Sequence, residues 1–255
     1  MGTIALPATE EVLCLSDAHA IRTTGIVVAL ASEARTLIPH VALDRVTPLA
    51  DGAVLRLSGM GLPAAQRAAQ ELVDAGAKAL AVFGVAGALD SSLSSGTLIC
   101  PEYVLDENGG RYATDASWRS SLQQSLPTTL RASGSLLSVR DPLLTVTEKA
   151  DARRRFGALA VDMESAAVAA IAQRHSLPFI SLRAIVDEAS DTVPTALNNA
   201  VDAWGRPRTF GLITALCRHP SVLGDLPRLY SRMQRATHAL RAAAQATGPT
   251  LGWHP

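Results

Sequence analysis

From about residue 25 to residue 185 the chain alternates short apolar runs with stretches of helical period. No other feature constrains its fold as strongly. An apolar run of four to eight residues bounded by turn residues fits a strand buried on both faces. Such strands need helices to cover them, so the alternation implies an α/β fold around a mostly parallel or mixed sheet. Residues 25–31 read as the first buried strand, and residues 53–58 alternate as a strand with one exposed face would. Pro63 opens an Ala-rich helix that stops at Gly76, with proline at its start and glycine past its end. Residues 80–83, 97–100, 136–139 and 179–185 read as further strands. Between 105 and 135 the chain is polar and reads as loop, apart from a helix around Trp118. Thr147 is expected to cap the helix that carries Arg153 to Arg155. Residues 158–161 are expected to run into a helix over 164–174, Ala-rich on every face and therefore buried.

Composition bounds the function. At 255 residues and 48% hydrophobic, the chain can bury one sizeable core. Basic and acidic residues balance at 23 each, which argues against nucleic acid as a partner. Cys14, Cys100 and Cys217 lie far apart, forming neither a disulfide framework nor a metal-ligand cluster. Glu10, Glu11, Asp17 and Arg22 interrupt the first residues, so no signal-peptide core is expected there. No run reaches transmembrane length, and a reducing cytoplasm is the expected compartment. The organisation expected is an N-terminal extension over 1–23, a catalytic domain over 24–203 and a basic helical extension over 204–255.

In open α/β sheets, ligands bind beyond the carboxyl ends of the strands. Three acids fall there: Glu33 after the first strand, Glu164 after the strand at 158–161, and Asp187 after the strand at 179–185. The strand at 80–83 is expected to end in a turn, Gly84-Val-Ala-Gly87, where backbone amides can approach a ligand. Each acid has a structural alternative, because an acid after a strand commonly caps the next helix. Gly84 and Gly87 could equally serve a tight turn alone.

Five segments in order carry a resemblance. They are Gly25-Ile-Val-Val-Ala-Leu-Ala-Ser-Glu-Ala34, Ser58-Gly-Met-Gly61, Gly84-Val-Ala-Gly-Ala-Leu89, Ala160-Val-Asp-Met-Glu-Ser165 and Leu182-Arg-Ala-Ile-Val-Asp187. Together they resemble the purine nucleoside phosphorylase and methylthioadenosine nucleosidase superfamily, over about residues 24–190. The resemblance implies a three-layer α/β/α sandwich around a mixed central sheet, a homodimer, and no metal or redox cofactor. It also implies cleavage of the N-glycosidic bond of a purine nucleoside. Asp187 matches the general acid that protonates the purine at N7. Glu164 matches the acid that grips the ribose hydroxyls, with Met163 against the sugar. Met60 and Gly84 fall in the substrate-binding segments. Glu33 matches the carboxylate with which nucleosidases activate water. These roles suit the chemistry: a purine leaves poorly as an anion, and a carboxylate on the sugar hydroxyls favours the developing oxocarbenium charge.

Departures from the pattern favour water over phosphate. Phe83-Gly84-Val85 offers no hydroxyl where phosphorylases bind the anion, and Glu33 would repel phosphate. Arg35 is the nearby cation that could restore phosphate binding, or it is a surface residue of a first helical turn. From Trp204 onward, seven arginines face one acid, Asp225. Leu226, Leu229, Met233, Ala236, Leu240 and Ala243 recur there at helical spacing. A packed terminal helix and a membrane-surface helix both fit that pattern. With His219-Pro220 near its start, the tail resembles that of the hopanoid-associated nucleoside phosphorylases. This implies adenosylhopane, a lipid-linked nucleoside, as substrate, and peripheral membrane contact.

Overall fold

The computed structural model describes residues 24–126, 130–193 and 222–254. The expected N-terminal extension and residues 204–221 lie outside them. Five parallel or near-central strands set the frame. β1 (Thr24–Val28) pairs in parallel with β3 (Val54–Leu57) and with β4 (Ala79–Ala88), and β4 pairs in parallel with β11 (Phe179–Ile185). β10 (Ala160–Asp162) joins the far end of β4 antiparallel, at Ala88 and Gly87. Beyond it follow β9 (Ser135–Ser138), β6 (Tyr103–Asp106) and β7 (Arg111–Ala113). Short strands β2 (Thr47–Pro48), β5 (Leu98–Ile99) and β8 (Leu130–Arg131) complete a mixed sheet.

Helices cover both faces, as the unbroken apolar strands require. Successive side chains of β1 point to opposite sides. Val27 enters one core with α2 (Leu62–Asp74) and α5 (Ser165–Arg174), while Ile26 and Val28 enter the other with α1 (Ala31–Leu37). That second core also takes Trp118 and Leu122 of α3 (Ala116–Ser125) and Ala236, Leu240 and Ala243 of the C-terminal helix α6 (Val222–Thr247). The Trp118 indole donates to the Leu251 carbonyl at 2.7 Å, fixing the end of the chain to α3. Ala236, Leu240 and Ala243 of the expected stripe are therefore spent on the domain. Leu229 and Met233 are half-buried at its edge, and the Leu226 side chain lies outside the described residues. No helix among the described residues is long and apolar enough to cross a membrane.

Several local expectations fail. The glycine-rich stretch 84–87 is not a turn. β4 continues through it, because β11 supplies backbone partners to Ala86 and β10 takes over at Gly87. The polar stretch after 105 holds most of the hairpin β6–β7, in which β6 is recruited by pairing with β9 and β7 by pairing with β6, rather than by apolar periodicity. The cap of α4 (Val146–Phe156) is Thr145, not Thr147. Its hydroxyl accepts from the Glu148 N–H at 3.2 Å while Glu148 Oε2 accepts from the Thr145 N–H at 2.8 Å.

Candidate active site

The carboxyl ends of β1, β4, β10 and β11 converge on a cavity of about 200 Å³. Glu33, Glu164, Asp187, Met163 and Met60 all line it, so residues more than 150 positions apart in sequence meet at one sheet edge. The rest of its wall is almost wholly apolar, including Val85, Val139, Pro142, Leu143, Leu144, Val161 and Val193. Asp162 is the fourth acid in the lining. No lysine, arginine, histidine, serine or threonine among the described residues lines the cavity. Arg35 is exposed on the solvent side of α1.

Glu33 sits in the first turn of α1, where the helix macrodipole favours a carboxylate. Its Oε2 accepts from the Leu30 N–H and its Oε1 from the Val85 N–H, each at 2.8 Å. The residue thus caps its own helix and ties α1 to β4 as it faces the cavity. Burial pushes its carboxyl up to about 7, against the pull of Arg183 and of the two backbone donors. Gly84 stands behind this carboxylate. A Cβ there would lie 2.5 Å from Glu33 Oε1 and 2.8 Å from Arg183 Nη1, so only glycine leaves room for the pair.

Glu164 occupies the N-cap position of α5, but its side chain does not cap the helix. Asp162 takes that task, accepting from the Ser165 N–H at 3.3 Å. Glu164 is thereby free to face the cavity, with Oε1 accepting from the Gly61 N–H at 3.0 Å and Oε2 from Arg183 at 3.0 Å. Burial raises its carboxyl above the ordinary range; Arg183 opposes the rise and Asp162 adds to it.

Arg183, fully buried on β11, is the centre of this end of the site. It pairs with Asp162 and with Glu164, and Asp162 also accepts from the hydroxyls of Ser138 and Ser165. Burial works against the guanidinium charge, but Asp162, Glu164 and Glu33 outweigh it and hold its proton more firmly.

Asp187 lies at the other end, over Gly87, where a Cβ would come within 3.0 Å of its Oδ2. Oδ2 is paired with the ammonium of Lys149, a residue of α4 that is 1% exposed. Sequence reasoning singled out neither Arg183 nor Lys149. A charged residue inside the apolar run 179–185 was a usable signal for Arg183. Lys149 had none, being one of several charges on a polar helix.

A mixed sheet covered by helices on both faces, with carboxylates gathered where strands end, defines an α/β enzyme of nucleoside N-glycosidic bond cleavage once its relatives are set beside it. The chain matches the phosphorylase superfamily over residues 25–218, and it belongs to that family. Among solved structures it is similar to a 5'-methylthioadenosine/S-adenosylhomocysteine nucleosidase from Neisseria meningitidis in complex with methylthio-immucillin-A. The identity is 17%, covering 89% of this chain and 98% of that one, with a TM-score of 0.64. Futalosine hydrolase of Helicobacter pylori is similar at 18% identity, covering 88% and 97% of the two chains, with a TM-score of 0.62. The Helicobacter pylori 5'-methylthioadenosine/S-adenosylhomocysteine nucleosidase is 20% identical over 67% of this chain and 87% of that one, with a TM-score of 0.59. At these identities the likeness is one of fold. No curated protein sequence matches the chain.

Proposed function

We propose that the protein hydrolyses the N-glycosidic bond of a 5'-substituted adenosine and releases adenine, with adenosylhopane as its substrate. The observation that carries hydrolysis is the lining of the cavity: four carboxylates, an apolar wall, and no cationic or hydroxyl side chain among the described residues. Among the described residues, a phosphate dianion would meet carboxylates there and no side chain to hold it. Water needs only a base, and Glu33, poised at about 7, is suited to that work near neutral pH.

In this reading Glu164 accepts hydrogen bonds from the ribose hydroxyls, and its attraction grows as the sugar becomes cationic. Asp187 delivers a proton to purine N7 as the C1'–N9 bond breaks with its electron pair going to the base. Water adds to C1' and gives its proton to Glu33. Such general acid and base help is worth about 10²–10⁴-fold each. The apolar wall of Leu143, Leu144 and Val193 suits an apolar 5' group. A cavity of about 200 Å³ holds the nucleoside and leaves a pentacyclic lipid to project from its mouth. Contact of α6 with an anionic membrane would rest mainly on its charge, since Ala236, Leu240 and Ala243 of its stripe are buried and Leu229 and Met233 half-buried.

The test is product analysis on a panel of 5'-methylthioadenosine, S-adenosylhomocysteine and adenosylhopane, with and without phosphate. Adenine and free ribosyl product should appear at equal rates in both conditions, with the highest kcat/KM for adenosylhopane. A strict phosphate requirement with a ribosyl 1-phosphate product would overturn hydrolysis. A best rate on 5'-methylthioadenosine would overturn the lipid substrate.

A further inference from the structure

Lys149 is a buried cation beside Asp187 that none of these roles uses. Its position is unfavourable on every local ground. It stands in the first turn of α4, where the macrodipole repels a cation. It is 1% exposed, so its ammonium is desolvated and its long side chain ordered. All three of its donors go to one short segment. Nζ donates to Asp187 Oδ2, to the Glu188 carbonyl at 2.9 Å and to the Asp191 carbonyl at 3.1 Å. An ammonium has three donors and no more, so nothing is left over for another task. Asp187 Oδ1 has no hydrogen-bond partner among the described residues, and Asp187 lines the cavity.

The segment that Lys149 grips is itself braced from the far side. The Glu188 N–H donates to Asp191 Oδ2 at 2.7 Å, closing the turn. Arg228 and Arg232 of α6 pair with Asp191, and Arg232 Nη2 also reaches Glu188 Oε2 at 3.3 Å. The other charged groups about the pair are already engaged. Glu148 is spent on the cap of α4, while Asp162, Glu164 and Glu33 lie with Arg183. Asp187 is the carboxylate that Lys149 answers.

We propose that Lys149 is the positioning residue of the general acid: it holds Asp187 by Oδ2, leaves Oδ1 to carry the proton to the base, and stabilises the carboxylate that remains. The inference rests on the reading of Asp187 given above. In the step, the Oδ1–H bond breaks as N7–H forms, and the C1'–N9 electron pair goes to the purine. Asp187 becomes a carboxylate facing the ammonium, and Lys149 keeps its three protons. An ammonium fixed at Oδ2 stabilises the carboxylate that is left as the proton passes to the departing base.

The experiment measures kcat and KM from pH 5.5 to 9 on the best-cleaved member of the nucleoside panel. The proteins compared are wild type, Lys149→Met, Lys149→Arg, Asp187→Asn and Thr145→Ala. Lys149→Met should lose roughly 10²-fold in kcat with little change in KM. Lys149→Arg, which keeps the charge, should recover much of kcat at an unchanged KM. Thr145→Ala weakens α4 at its cap without touching the pair, so it should lower Tm and leave the profile in place. If Lys149→Met keeps the wild-type kcat, or if its rate falls only as Tm falls and Lys149→Arg restores none of it, the lysine serves structure only and the proposal is wrong. Asp187→Asn separates the two readings: near-wild-type adenine release from that variant removes the general acid itself, whatever Lys149 does.

Discussion

Two buried cations hold the carboxylates of this site, and they do so differently. Arg183 projects from the central strand β11 and serves a cluster: Asp162 and Glu164 directly, Glu33 through space. Lys149 projects from a peripheral helix and serves one carboxylate and two carbonyls. At the Arg183 end three acids face one guanidinium charge, which bonds them through Nη2 while its Nε and Nη1 have no hydrogen-bond partner among the described residues, and burial raises the carboxyls of Glu33 and Glu164. At the Lys149 end one ammonium meets one carboxylate. The acids share a sheet edge and nearly share a chemistry, yet their surroundings divide them into a base poised near neutrality and a paired acid. Local charge count, more than the residue type, sets that division.

The largest expected effect comes from breaking the cluster. Arg183→Met leaves Asp162 and Glu164 buried without their cation, and such a loss typically costs about 3–5 kcal/mol. Urea denaturation at pH 7 measures it. A loss under about 1 kcal/mol would mean that the hydroxyls of Ser138 and Ser165 already satisfy Asp162, and the contrast with Lys149 would weaken.

Glu33→Gln sharpens the comparison through pH. The folded-state value of Glu33 is about 7, above its ordinary 4.5, so the unfolded chain releases this proton first as pH rises. The associated stability is fully present below about 4.5 and is lost as pH climbs through about 7, a difference of roughly 3 kcal/mol at most. Wild type should therefore lose stability between pH 5 and 8 more steeply than Glu33→Gln. Parallel curves of unfolding free energy against pH would contradict the raised value. The smallest effect is on sugar selectivity. Glu164→Gln exchanges a charged acceptor for a neutral one, so preference for ribose over 2'-deoxyribose substrates should fall by about 1–2 kcal/mol, near tenfold in kcat/KM. An unchanged preference would take Glu164 off the sugar.

The strands at 80–83 and 179–185 were legible because they are apolar and bounded by turn residues. β11 runs over the very residues expected. The hairpin β6–β7 was not, since Tyr103, Asp106 and Arg111 carry no core-facing period and become strands only as β6 pairs with β9 and β7 with β6. The stretch 84–87 was misjudged for a related reason. Glycines read as a turn in isolation, whereas here they let β4 pass close beneath two carboxylates, Glu33 at Gly84 and Asp187 at Gly87. The helix α6 was legible as an amphipathic element, but its pattern could not say whether the stripe met the domain or something else.

By itself the sequence determined the alternation of strands and helices, and with it an α/β sheet whose strand ends carry Glu33, Glu164 and Asp187. Periodicity and turn chemistry are local properties, written into neighbouring residues, so they can be read without a fold. Only the tertiary structure decided which cation each acid would face. Arg183 stands 150 residues from Glu33, and Lys149 is 38 from Asp187. A Coulomb interaction depends on distance in space and on how much water lies between, and neither is a function of separation along the chain.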